Sequence, residues 1–104
     1  MNIFSALAQS NRRQIIEILA SQGQLSSSEL ADKFIISPPA VSQHLKVLLQ
    51  ANLVNVEKKE QKRLYSINPQ KILEIEAWAI KMKSVWNSRF DKLDKILSSE
   101  KETG

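Results

Sequence analysis

Between Ser37 and Lys46 the chain reads Ser-Pro-Pro-Ala-Val-Ser-Gln-His-Leu-Lys, small and polar side chains gathered around Val41 and Leu45. Gln43 carries a carboxamide that donates and accepts at once, the pairing an adenine edge requires. Ser42 and His44 add donors and acceptors, Lys46 a fixed positive charge, and Ser37, Pro39 and Ala40 keep the surface low enough to approach a base edge. Further along, Lys58, Lys59, Lys62 and Arg63 crowd a short span, as a surface that neutralises phosphates would. The chemistry on offer is recognition of a polyanion, not bond making. Catalysis needs a nucleophile, a base and oxyanion donors converging in a cleft, and no such set is visible. The pairs Glu74/Glu76 and Asp91/Asp94 read as solvated charges balancing Lys71, Lys81, Lys92 and Lys95. No catalytic residue, metal ligand or cofactor is expected, and the chain does not read as an enzyme.

These side chains need elements to hold them. Ser37-Pro38 opens a helix, because proline at the first helical position forfeits no hydrogen bond. Val41, Leu45 and Leu48 recur at helical spacing as its inner stripe, which turns Gln43 and Lys46 outward. Upstream, Ile3, Phe4, Leu7 and Ala8 suggest a short opening helix. Ser10 is the expected cap of a second helix with Ile15, Ile16, Leu19 and Ala20 inside, ended by Gly23. Ser26-Ser27-Ser28-Glu29 fits a capping box, opening a third helix that buries Leu30, Ala31 and Phe34. After Asn52, two strand-like runs, 53–58 and 62–67, flank the charged turn Lys59-Glu60-Gln61. Asn68-Pro69 restarts helix.

The order helix, helix, helix, helix, strand, strand, helix predicts a mainly α fold with a small β-hairpin: a winged helix-turn-helix. In that fold the helix from Ser37 is the recognition helix for duplex DNA, and the hairpin cations reach the flanking backbone or minor groove. In the last helix Ile72, Ile75, Ala79, Met82, Trp86, Phe90, Leu93 and Leu97 recur at three- and four-residue steps, widened by Trp78, Val85 and Ile96. About 30 residues at ~1.5 Å each span ~45 Å, against a diameter of about 26 Å for a chain this size. Two chains burying that stripe against each other is the economical reading; an internal core helix with a frayed end is the alternative. The expected interface comprises Ile3, Phe4 and Leu7 with Ile75, Trp78, Ala79, Met82, Trp86, Phe90 and Leu93. Trp78, Trp86 and Phe90, aromatics at helical spacing, read as core or interface, with a ligand pocket as the lesser alternative. Residues 1–97 make one domain, and 98–104 a loose polar tail.

Bulk properties agree. The chain has 104 residues, room for one domain, with 42% hydrophobic and 25% charged residues. The absence of cysteine excludes disulfides, thiolate metal sites and a cysteine nucleophile. Of the net charge of +4, three units fall in residues 37–68. No signal sequence and no apolar run of membrane-spanning length is visible, which makes the cytoplasm the expected compartment.

The stretch Ser37 to Leu48 resembles the recognition helix of the arsenical-resistance-repressor (ArsR) family of bacterial regulators. The segment from Ala6 to Ile16 is similar to that family's opening signature, and Lys62 to Ile67 to its second wing strand. The likeness runs from about residue 3 to residue 97; Trp78, Trp86 and the run Arg89 to Asp94 resemble its metal-independent branch. The resemblance implies dimerisation through the first and last helices and repression from a partly palindromic operator, and it names no inducer. Ser26 and Ser28 stand where many members carry thiolate ligands, and serine binds soft metals poorly. Others place aspartate and histidine ligands on the last helix, which here has no histidine; the single histidine, His44, reads as a DNA contact or a packing residue. Gln61 and Asn52 replace glycines common in the family, though asparagine tolerates the left-handed conformation. Arg12 and Arg13 either reach phosphate or hold helix ends together. The rival reading is a winged-helix module that docks a protein and binds no DNA, disfavoured because a docking helix should display larger apolar anchors.

Overall fold

A computed structural model describes residues 2–89 with their side chains and the helical backbone onward to Thr103. Two compact units divide at Ile72 and Leu73. The first unit opens with α1 (Ile3–Leu7), where Asn2 Oδ1 accepts from the Phe4 amide at 2.6 Å. The next helix, α2 (Ser10–Gln22), is capped one residue earlier than expected: Gln9, in extended conformation, folds its side chain back to accept from the Arg12 amide, and Ser10 is already helical. Gly23 ends α2 at φ 81°, a backbone state that glycine alone enters without steric cost. The capping box forms as expected. Ser26 Oγ accepts from the Glu29 amide at 3.2 Å and the Glu29 carboxylate accepts from the Ser26 amide at 3.1 Å, starting α3 (Ser27–Ala31).

Ser37 caps α4 (Pro38–Gln50) by accepting from the Ala40 amide, with proline at the first helical position. The end of α4 is a Schellman motif. The Leu53 amide donates to Leu48 O and the Asn52 amide to Leu49 O, each at 3.0 Å, with Asn52 at φ 59°. Leu48 and Leu53, both fully buried, supply the apolar contact that accompanies such an ending. Leu53 is therefore spent on the cap, and the hairpin comprises β2 (Val54–Lys59) and β3 (Lys62–Ile67) instead of beginning at 53. Asn68 closes the unit: its Nδ2 donates to Asn52 O at 2.8 Å, and its Oδ1 accepts from Gln70 at the start of α5 (Pro69–Thr103).

The sheet has three strands, one more than expected. β1 (Leu25–Ser26) pairs antiparallel with β3, Leu25 opposite Tyr65 and Ser26 opposite Leu64, giving the order β1-β3-β2. The core of this unit centres on Ile15, Leu30, Val41, Leu45, Leu48 and Leu53. The helical stripes are accordingly correct at their centres and wrong at some edges. Ala20 is exposed, Ala31 and Phe34 are half-buried, and α1 buries Ala6 while Phe4 is 45% exposed. Past Val54 the residues of β2 are exposed, Val56 included, so the alternation read into that strand does not mark a two-sided burial.

The second unit, 73–104, continues α5. Ile75 is half-buried, and Trp78, Ala79, Met82, Val85 and Trp86 are exposed, the tryptophans by 49% and 59%. Leu73 and Ile80, outside the expected stripe, are exposed as well. Phe90, Leu93 and Leu97, and the tail 98–104, lie outside the residues described with side chains. No helix among the described residues is long and apolar enough to cross a membrane.

Candidate nucleic-acid interface

The rotation of α4 follows from its three buried residues, Val41, Leu45 and Leu48. At 3.6 residues per turn, burying that stripe directs Pro39, Gln43 and Lys46 away from the core, and all three are exposed. Ser37 and Ser42 are also exposed, while Ala40 and His44 are half-buried on the flanks. Ser42, Gln43, Lys46 and Leu49 form one wall of a groove of about 420 Å³; Arg63 and Tyr65 of β3 and Ser27 of α3 form the rest. The fold thus brings two sequence-predicted sets together, since Gln43, Lys46 and Arg63 line the same groove. Ser27, Leu49 and Tyr65 were not anticipated. For Ser27 the signal was present, in the serine run that opens α3.

The hairpin cations are arranged in register. Lys58 faces Arg63, and Lys59 faces Lys62 beside the two-residue turn Glu60-Gln61. Like charges directly opposite each other on a sheet are destabilising, so two such pairs at one tip weaken the fold unless a polyanion neutralises them. The turn's positive φ, 60°, falls on Glu60 and not on Gln61. Glu57, one step further from the tip, accepts from Gln24 Nε2 at 3.2 Å and is directed to the body of the unit.

Arg12 and Arg13 both hold helix ends together. Arg13 Nη1 donates to Leu7 O at 2.7 Å and Ala8 O at 3.1 Å, satisfying carbonyls that the end of α1 leaves open. Arg12 donates through Nε to Ala6 O and through Nη2 to Ser5 O, and its Nη1 lies 3.4 Å from His44 Nδ1. Partial burial, and next the Arg12 guanidinium, hold the His44 imidazole below its usual pKa, so the ring is neutral near pH 7.

Ser26 and Ser28 are engaged with each other (Oγ···Oγ 3.2 Å), and Ser26 is buried as the cap of α3. Among the described residues no three His, Asp or Glu side chains cluster as a metal site would need.

The pattern of the family described as "Bacterial regulatory protein, arsR family" matches residues 9–56, which run from the cap of α2 through α4 into β2. The transcriptional repressor SdpR of Bacillus subtilis is 36% identical over 67 residues, 64% of this chain and 73% of that protein. The chain belongs to the ArsR family. The HTH-type transcriptional regulator Rv2034 of Mycobacterium tuberculosis is 47% identical over 66 residues, covering 64% of this chain and 61% of that one. A crystal structure of an ArsR family transcriptional regulator superposes with a TM-score of 0.73 at 30% identity, covering 83% of this chain and 88% of the other. The winged helix-turn-helix expected from the order of elements is thereby established for this ArsR chain, as is its class: a DNA-binding transcriptional regulator and not an enzyme.

Proposed function

We propose that this ArsR chain represses transcription in the cytoplasm as a homodimer on a partly palindromic operator, with α4 in the major groove and the hairpin on the flanking backbone or minor groove. The observation that carries the proposal is the groove in which Gln43 and Lys46 of α4 face Arg63 of β3, beside a hairpin tip carrying two facing cation pairs. Gln43 reads a base edge, Ser37, Ser42, His44 and Lys46 bond to bases or phosphates, and Lys58, Lys59, Lys62 and Arg63 hold the backbone. Pro39 and Ala40 leave room for the groove edge. The exposed stripe of Trp78, Met82, Val85 and Trp86 supports assembly of residues 1–97 through α5, with Ile3, Phe4 and Leu7 contributing. Ser26 and Ser28, bonded to each other while Ser26 Oγ also accepts from the Glu29 amide as the cap of α3, support regulation without a thiolate-bound metal. A two-fold dimer places its recognition helices about 34–36 Å apart, one helical turn of DNA.

The test is binding of the full chain to the duplex upstream of its own gene, beside an unrelated duplex, for wild type and Trp86→Asp, with mass in solution measured in parallel. The proposal expects preference for the upstream duplex, a dimeric wild type, and joint loss of dimer and affinity in the variant. A dimeric Trp86→Asp with unchanged affinity refutes the assembly, and a folded wild type that binds neither duplex favours the protein-docking module.

A further inference from the structure

Arg12, half-buried, makes contacts beyond those needed to finish α1. Two of its donors reach Ala6 O and Ser5 O, which fixes the guanidinium plane against the end of that helix. The third, Nη1, meets His44 Nδ1 across the α2–α4 packing at 3.4 Å. A guanidinium has donors and no acceptor, so the bond exists only if Nδ1 is the bare, accepting nitrogen of the imidazole. The remaining proton must then sit on Nε2, because the nitrogen facing a donor sets the tautomer of the other. That second nitrogen is open to solvent. The one hydrogen bond made by His44 is at Nδ1, and among the described residues no buried side-chain nitrogen or oxygen lacks a partner. Arg12 is also the one charged side chain acting on the ring among the described residues, and it opposes a proton on Nδ1.

We infer that Arg12 is a positioning residue for the DNA interface, holding the His44 ring with Nδ1 as acceptor so that α4 presents a fixed Nε2–H donor to an oxygen of the DNA backbone. The inference rests on the proposed DNA-binding face. It assigns His44, a flank residue on α4, to phosphate positioning and leaves base reading to Gln43.

The chain has one histidine, so ring-nitrogen NMR reports His44 without assignment. The wild type, free of DNA, should show Nε2 protonated and Nδ1 bare at neutral pH. In Arg12→Met the two tautomers should exchange and both nitrogen shifts move toward an average, with the titration midpoint rising; Arg12→Lys should restore part of the wild-type pattern. On the upstream duplex, His44→Gln keeps a donor near the Nε2 position and should bind within about threefold of wild type. His44→Ala should lose about a hundredfold, roughly tenfold for the one hydrogen bond to a charged acceptor removed from each protomer of the dimer. A wild-type spectrum with the proton on Nδ1 overturns the inference whatever the variants do. So do equal losses in His44→Gln and His44→Ala. Failure of wild type to bind any duplex, with the expected spectrum intact, refutes the DNA role and locates the fault in the proposed function.

Discussion

Removing one of the two facing cation pairs from the hairpin should strengthen the fold and weaken DNA binding, opposite signs from a single change. Lys58 lies directly across from Arg63, so Lys58→Gln with Arg63→Gln eliminates a cross-strand repulsion. Such pairs contribute about 0.2–1 kcal/mol, and both residues are exposed, so no cavity or stranded partner offsets the gain. On DNA the same change deletes two phosphate contacts per protomer. With a slope of about −0.9 in log affinity against log salt for each contact, a dimer should lose about 3.6 from its slope. Between 50 and 200 mM salt that difference corresponds to roughly 150-fold in relative affinity. Fluorescence anisotropy on a labelled duplex across a salt series measures the slope, and urea denaturation of the free protein measures stability. An unchanged slope, or a variant less stable than wild type, refutes the reasoning that the tip is a phosphate surface held at the expense of local repulsion.

Other expectations follow from the helix ends. The capping-box hydrogen bonds from Ser26 hold the Glu29 carboxyl below its usual pKa of 4.5. A group whose folded pKa is lowered stabilises the fold above its unfolded pKa, and that stabilisation fades as pH falls through the folded value. Glu29→Gln should therefore match wild type at strongly acid pH and be less stable above about pH 4.5, checked by urea midpoints across pH. Asn52 occupies φ 59° in the Schellman ending of α4, so Asn52→Ala should cost about 1 kcal/mol and Asn52→Gly almost nothing, read from thermal melts.

The parts of the fold legible in the sequence are those with local causes. Ser37-Pro38, the Ser26/Glu29 box and Asn52 each act within a few residues of themselves, and the structure realises all three. The stripe Val41, Leu45 and Leu48 fixed the rotation of α4 and hence the exposure of Gln43 and Lys46. What escaped depends on distant partners. β1 is two residues long and exists because Leu25 and Ser26 pair with β3, a contact that no periodicity in a two-residue run can announce. Gln9 displaced Ser10 as a cap because a longer side chain reached the Arg12 amide, a choice between neighbours that composition does not resolve. Arg12 was recognisable as a cation near a helix end, but its link to His44 required α2 and α4 to be packed together first. The groove carries the same lesson: Gln43 and Lys46 are identifiable from the stripe of α4, whereas Tyr65 joins them only because β3 packs beside that helix.

Whether the outward face of α4 reads sequence while the cations around it do not is decided at Gln43. Affinities of wild type and Gln43→Ala would be measured for the selected operator and for every single base-pair variant of one half-site. Wild type should lose roughly 1–3 kcal/mol at the base pair Gln43 contacts, and Gln43→Ala should no longer distinguish that base pair while keeping its discrimination elsewhere. Uniform weakening of Gln43→Ala on every duplex, with the wild-type pattern of preferences intact, would contradict this.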